Sequence, residues 1–287
     1  MLKRFFKFLF IEIVYNGHLQ SICAVALVIF SSMILSIKID IWALLILYLS
    51  FYIIYLYNRF GERKQDGATN KTRTNHIQKI SPFVPYILAV VSLAVVILLF
   101  LFGKLYFNIQ VVVTIVFGVL YTTVFKDLTK KIPLFKNYYV ALFFASLIIV
   151  PLSYTMTPFT GIEATILVMA VFVFLRGMRM QIFLDLKDLP SDRKQGLKTA
   201  GAIWGRRKVY KVLLFLSVLT TWIFAIFLFF TKNDSAQNLF FIFPLAFLFA
   251  FDRVNQKKIE QENFYGYLIE SGEFILWPIL LYPFYVI

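Results

Sequence analysis

Long apolar runs, almost free of charge, alternate along this chain with short, heavily charged segments. The runs cover about residues 18–37, 41–58, 83–102, 109–126, 137–154, 162–183, 208–231, 238–251 and 268–286. A helix needs about 20 mostly apolar residues to cross the hydrocarbon core of a bilayer, and about 17 suffice. The pattern therefore predicts an all-α polytopic membrane protein, a bundle of about nine transmembrane helices. The run at 238–251 is short and the run at 109–126 contains Gly118, which marks both as candidates for tilted or partly re-entrant elements. Pro151, Pro244, Pro278 and Pro283 fall within or near runs, where a bilayer helix accepts a kink if neighbours satisfy the freed carbonyls.

The placement of charge tests this plan independently. With the N-terminus and every second connection on one side, only Lys38, Lys104 and Lys232 of the 29 Lys and Arg are left on the opposite side. By the positive-inside rule the side rich in bases is the cytoplasm, so the N-terminus is expected inside, in a bacterial inner (plasma) membrane. MLKRFFKFLF reads as an amphipathic interfacial lead-in, with an uncleaved signal anchor as the alternative, and the whole of 1–287 reads as one membrane domain.

Composition agrees: 60% of residues are hydrophobic and 15% charged, far from an ordinary soluble domain. The net charge of +14 is spread in short basic blocks between apolar runs, which suits anionic headgroups or an anionic substrate at the membrane surface rather than nucleic acid. Cys23 is the single cysteine, so no internal disulfide can form. His18 and His76 lack partner histidines at metal spacing. No nucleophile elbow, P-loop or dinucleotide fingerprint is present, which removes support from hydrolase, nucleotide-driven pump and dehydrogenase readings.

Two acidic clusters remain. Asn58, Glu62 and Asp66, at the end of the second run, are spaced by four and share a helical face. Asp185, Asp188 and Asp192, at the end of the sixth, are spaced by three and then four, although Pro190 disfavours helix at Leu189. Both clusters are expected at the same depth on the cytoplasmic side. Carboxylates placed together repel, and an oxygen-only set calls for a hard cation; Mg2+ is usually held by one or two carboxylates plus substrate phosphates. Arg73, Lys126, Lys130, Lys131, Arg193 and Lys194 stand nearby as partners for outer diphosphate oxygens. Gly61, Gly67 and Gly196 punctuate these loops. Arg176 and Arg179 are the charges placed deepest in a run, with a substrate-headgroup role set against snorkelling to the interface.

The stretch from Asn58 to Asp66, followed by NKTR, resembles the first aspartate-rich motif of the UbiA superfamily of intramembrane prenyltransferases. DLKDLPSDRKQGLKT, from Asp185 to Thr199, resembles that family's second motif almost position for position. YTTVFKDLTKKIPLFKNYYVA, from Tyr121 to Ala141, is similar to the family's tyrosine and basic loop. The resemblance implies a helical bundle whose central cavity is capped by cytoplasmic loops. It also implies transfer of an isoprenoid from its diphosphate to a lipophilic acceptor. On it, Asn58, Glu62, Asp66, Asp188 and Asp192 hold magnesium with help from Asp185, and Asp66, Asp188 and Asp192 are the catalytic acids. Tyr121 and Lys126 touch the diphosphate, joined by Arg73, Lys130, Arg193 and Lys194. Arg59 and Glu62 depart from the family pattern, in which Asp is common at both positions. Alternatives are transfer of another diphosphate-activated group, such as phosphoribosyl, to a lipid phosphate; a transporter; and a scaffold that has lost catalysis.

Overall fold

The computed structural model describes residues 2–63, 71–231, 247–248, 250–255 and 264–286. Among them every regular element is helical. In chain order they are α1 (Leu2–Tyr15), α2 (His18–Leu35), α3 (Ile41–Glu62), α4 (Lys71–Ile80), α5 (Val84–Phe102) and α6 (Leu105–Thr123). A 3-10 turn (Phe125–Asp127) leads to α7 (Leu128–Lys131), α8 (Phe135–Ala145), a second 3-10 turn (Ser146–Ile149) and α9 (Val150–Thr155). Then come α10 (Glu163–Lys194), α11 (Ala200–Thr231), α12 (Phe264–Ser271) and α13 (Glu273–Val286).

Seven helices or helix pairs among the described residues are long and apolar enough to cross a bilayer, and Glu273–Tyr282 is a shorter apolar helix. They match the runs expected at 18–37, 41–58, 83–102, 109–126, 137–154, 162–183 and 208–231, with shifted ends. The run at 238–251 lies largely outside the described residues, so the described residues carry fewer than the nine spans expected.

Local chemistry sets the boundaries. Asp40 caps α3, its carboxylate accepting from the Ala43 amide at 2.9 Å. The run at 137–154 is broken into α8, a 3-10 turn and α9, because Pro151 has no amide to give the Leu147 carbonyl. The Val150 amide donates to that carbonyl instead. Nearby carbonyls loosened by the break are taken by other helices: Ser31 Oγ donates to Ile148 O at 2.6 Å and Gln110 Nε2 to Ser146 O at 3.1 Å. α11 bends at Gly205, whose φ of 71° leaves the helical range and suits glycine.

The helix boundary expected at Leu189 is not there: α10 continues through Pro190 to Lys194. Tertiary packing outweighs the local preference, since Leu186 and Leu189 are buried and face Gly201. α10 ends in a tight turn at Gly196, with the Leu197 amide bonded to Asp192 O at 2.9 Å.

α10 packs between α8 and α11, α2 between α3 and α13, and α3 also against α5 and α6. At the α3–α6 contact a Cβ on Gly118 would lie 2.6 Å from Ile54 Cδ1, so glycine permits the close approach. α5 buries only Val84 and Val95 and exposes Tyr86, Val90, Leu93 and Phe100, an outward apolar face suited to lipid.

Candidate functional site

A cavity of about 250 Å³ opens among α3, α4, α6, α8 and α10, close to the lower end of the roughly 300–1,000 Å³ usual for small-molecule sites. Its lining is graded along each helix. On α3, Ile54 and Tyr55 precede Asn58 and Glu62; on α10, Met180 and Leu184 precede Asp188 and Asp192; on α8, Lys136 at the first turn is followed by Tyr139, Phe143 and Phe144. Charge therefore gathers where these helices meet their loops, and the wall becomes aromatic and apolar one to three turns deeper.

Asn58 and Glu62 of the first acidic cluster and Asp188 and Asp192 of the second line this cavity. Asn58 Nδ2 donates to Thr122 Oγ1 at 3.0 Å, and Glu62 Oε1 lies 2.7 Å from Lys126 Nζ, with both side chains mostly buried. Asp188 lines the cavity, and Asp192 is held by Thr199, whose hydroxyl donates to Oδ2 at 2.9 Å. Arg73 is brought in by α4, which is fastened to α1 where His76 Nε2 lies 3.1 Å from Glu12 Oε2. Tyr121 stacks on Tyr139 with ring centroids 5.2 Å apart. Arg59 is buried and donates to Val14 O and to Gln20 Oε1, both at 2.9 Å, which ties α3 to α1 and α2.

Asp185 is set apart from its neighbours. It is fully buried, and its two oxygens accept from Lys136 Nζ at 2.7 Å and Asn137 Nδ2 at 2.8 Å. Lys130, Arg193 and Lys194 are exposed and do not line the cavity. Continuation of α10 past Pro190 turns Arg193 and Lys194 away from the face that carries Asp188 and Asp192. Lys130 pairs with Asp127 at 2.7 Å, which holds that surface carboxyl below its usual range. Asp66 lies outside the described residues.

Sequence reasoning missed Thr129, Lys136 and Lys187, all of which line the cavity. Lys136 sits inside the basic loop KIPLFKNYYVA, but nothing local distinguishes it from Lys130 and Lys131. Among the described residues no three His, Cys, Asp or Glu side chains stand together at metal-holding spacing. The donor chemistry nonetheless fits a hard cation, because Asn58, Glu62, Asp188 and Asp192 offer only oxygen ligands to one cavity.

Arg176 and Arg179 neither reach a substrate headgroup nor snorkel. They are fully buried in a network outside the cavity. Arg176 forks onto Asp252 at 2.8 and 2.9 Å and pairs with Glu273. Arg179 pairs with Glu270, meets Asp252 at 3.1 Å, and donates to Ser217 at 2.7 Å. Asn255 donates to Glu270 at 2.9 Å.

A set of membrane-length helices around a cavity with a charged rim and an aromatic wall defines an integral membrane protein with one amphipathic binding chamber. Residues 20–268 match the model of the UbiA prenyltransferase family, and the chain belongs to that family. No curated protein matches it. Among solved structures it is similar to the apo structure of a UbiA homologue from Aeropyrum pernix K1, with a TM-score of 0.67 at 12% identity over 92% of this chain and 95% of that one. A UbiA homologue from Archaeoglobus fulgidus bound to GPP and Mg2+ gives 0.60 at 15% identity, covering 92% and 98%. A digeranylgeranylglyceryl phosphate synthase gives 0.55 at 15%, covering 95% and 94%.

Proposed function

We propose that this protein transfers a prenyl group from an allylic prenyl diphosphate to a lipid-soluble acceptor, an aromatic compound or quinone precursor, within the membrane. One observation carries the reading: a single cavity joins Asn58 and Glu62 of one acidic cluster, Asp188 and Asp192 of the other, and several bases to an apolar aromatic wall. The bases suit a diphosphate and the wall suits the chain attached to it. The GPP and Mg2+ bound by the Archaeoglobus homologue support the same assignment. Both clusters would face the cytoplasm, with the N-terminus on that side of a bacterial inner membrane and the chain forming one membrane domain.

Asn58, Glu62, Asp66, Asp188 and Asp192 would hold magnesium. When bound, the ion would screen charge that develops on the departing diphosphate. Lys126, Arg73 and the Tyr121 hydroxyl would orient the diphosphate and stabilise that charge as the carbon–oxygen bond breaks. Tyr139, Phe143 and Phe144 would present ring faces to the allylic cation, at about 0.5–2 kcal/mol each. The same wall would exclude water until the acceptor attacks and loses its proton.

Transport is the second reading, since Arg176 and Arg179 lie midway along α10. Their five-member ion network is satisfied internally and lies outside the cavity, which favours the transferase. The test is magnesium-dependent release of diphosphate from geranyl and longer allylic diphosphates, with a panel of phenolic and lipid acceptors. Asp188→Asn should lower donor binding and release at least about ten-fold. Asp188→Asn combined with Asp192→Asn should cost much less than the sum of the single losses. A parent protein that binds no allylic diphosphate at any magnesium concentration would overturn the reading.

A further inference from the structure

The wall of the cavity built by residues 121–137 carries buried donors with no acceptor. The Tyr121 hydroxyl and the Thr129 hydroxyl have no hydrogen-bond partner, although Tyr121 is 9% and Thr129 0% exposed and both residues line the cavity. A buried hydroxyl is almost always bonded in a finished site, so two on one wall point to a ligand rich in acceptor oxygens. Lys136 stands on the same wall. Its ammonium gives one bond to Asp185 at 2.7 Å, its side chain is 24% exposed, and an ammonium has three donors.

The backbone fixes this wall in place. The Lys198 amide donates to Thr129 O at 2.9 Å, and the Leu134 amide donates back to Lys198 O at 2.9 Å, so the loop before α8 is stitched to the loop after α10. Asp185 completes the arrangement from behind. One of its oxygens takes Lys136 and the other takes Asn137, two successive residues in the first turn of α8. A carboxylate with both oxygens committed to protein donors is poorly placed to serve as a metal ligand.

We propose that Lys136, together with Tyr121 and Thr129, receives oxygens of the donor diphosphate, and that Asp185 is a positioning residue which aims Lys136 into the cavity. This rests on the prenyltransferase reading and adds Lys136 and Thr129 to Tyr121 and Lys126 as partners of the anion, on the wall that bears no acidic cluster. Lys136 neutralises Asp185 in the empty site and shares its remaining donors with the anion when the site is filled.

The experiment measures binding of inorganic pyrophosphate and geranyl diphosphate to the purified protein, with EDTA and across a magnesium titration. Lys136→Gln keeps a donor for Asp185 but removes the charge. It should weaken pyrophosphate binding in EDTA about ten-fold or more, whereas Lys136→Arg should stay close to the parent. Asp185→Asn should weaken binding as Lys136→Gln does, and the double variant should be no worse than Lys136→Gln alone. Asp185→Asn should also leave the magnesium concentration for half-saturation unchanged, while Asp188→Asn raises it. Thermal unfolding of each variant separates lost binding from lost fold, and Lys136→Gln alone decides the matter if Asp185→Asn does not fold. The proposal is overturned if Lys136→Gln binds pyrophosphate like the parent, or if Asp185→Asn raises the magnesium requirement as Asp188→Asn does. Either result, with a parent that still binds geranyl diphosphate, leaves the prenyltransferase reading standing. A parent that binds neither ligand overturns both.

Discussion

Asp192 owes its orientation to a residue seven positions later. The turn at Gly196 brings Thr199 back so that its hydroxyl donates to Asp192 Oδ2, and the turn itself is closed by the Leu197 amide on Asp192 O. Thr199→Val would keep the shape and remove the bond, worth about 1.5–3 kcal/mol in stability because its acceptor is a buried carboxylate. The carboxylate would then swing freely. The expected outcome is a several-fold rise in KM for the prenyl diphosphate, with Tm lowered by several degrees, checked by steady-state kinetics and thermal unfolding. At this scale the acidic residues were legible because a helical period of three and four puts Asp185, Asp188 and Asp192 on one face whatever surrounds them. Lys136 was not, because its partner lies 49 residues away and only the folded bundle brings the two together. Arg59 stood out only as a departure from the family pattern, because its partners Val14 and Gln20 sit on other helices.

Among the elements, α10 carries the largest share of the architecture. One end supplies Asp188 and Asp192 to the cavity, and its middle anchors α11, residues 250–255, α12 and α13 through Arg176 and Arg179. Removing one partner from such a network strands buried charges of the other sign. Arg176→Met should therefore destabilise the protein by about 3–5 kcal/mol, read as a fall in Tm in detergent. Donor affinity of the fraction that stays folded should change little, since Arg176 does not line the cavity. Apolar periodicity and length revealed the long helices. Pro151 marked the neighbourhood of the break at Ser146–Ile149, but not the partners of its loosened carbonyls, since Ser31 and Gln110 lie elsewhere in the chain. Nor could a local proline rule foresee that Leu186 and Leu189, packed beside Gly201, would hold α10 helical through Pro190.

For the whole molecule, the basic residues set the expected orientation. In a Cys23→Ser background, a cysteine at Ser81 or Ser191 should react with impermeant maleimides only from the cytoplasmic face, and one at Lys104 only from outside. Labelling of Ser191 from outside would remove the shared cytoplasmic site. The bundle was legible because a bilayer demands nearly charge-free runs of fixed length, a constraint written along the chain itself. The cavity was less so, because its wall is assembled from single turns of several helices and only its acidic and basic rim has a linear signature.

The ion network also has a bearing on how the chain is made. Arg176 precedes Asp252 by 76 residues and Glu273 by 97. During synthesis α10 must enter the bilayer with both arginines still lacking those carboxylates, at about 2.5–3.5 kcal/mol for each charge near a helix centre. Its strongly apolar flanks offset that penalty, but leave the two charges themselves without partners until the carboxylates arrive. Secure seating of α10 thus waits for segments made 76 and 97 residues after Arg176, so Asp188 and Asp192 at its end become firmly held only after Asp252 and Glu273 have followed it into the bundle.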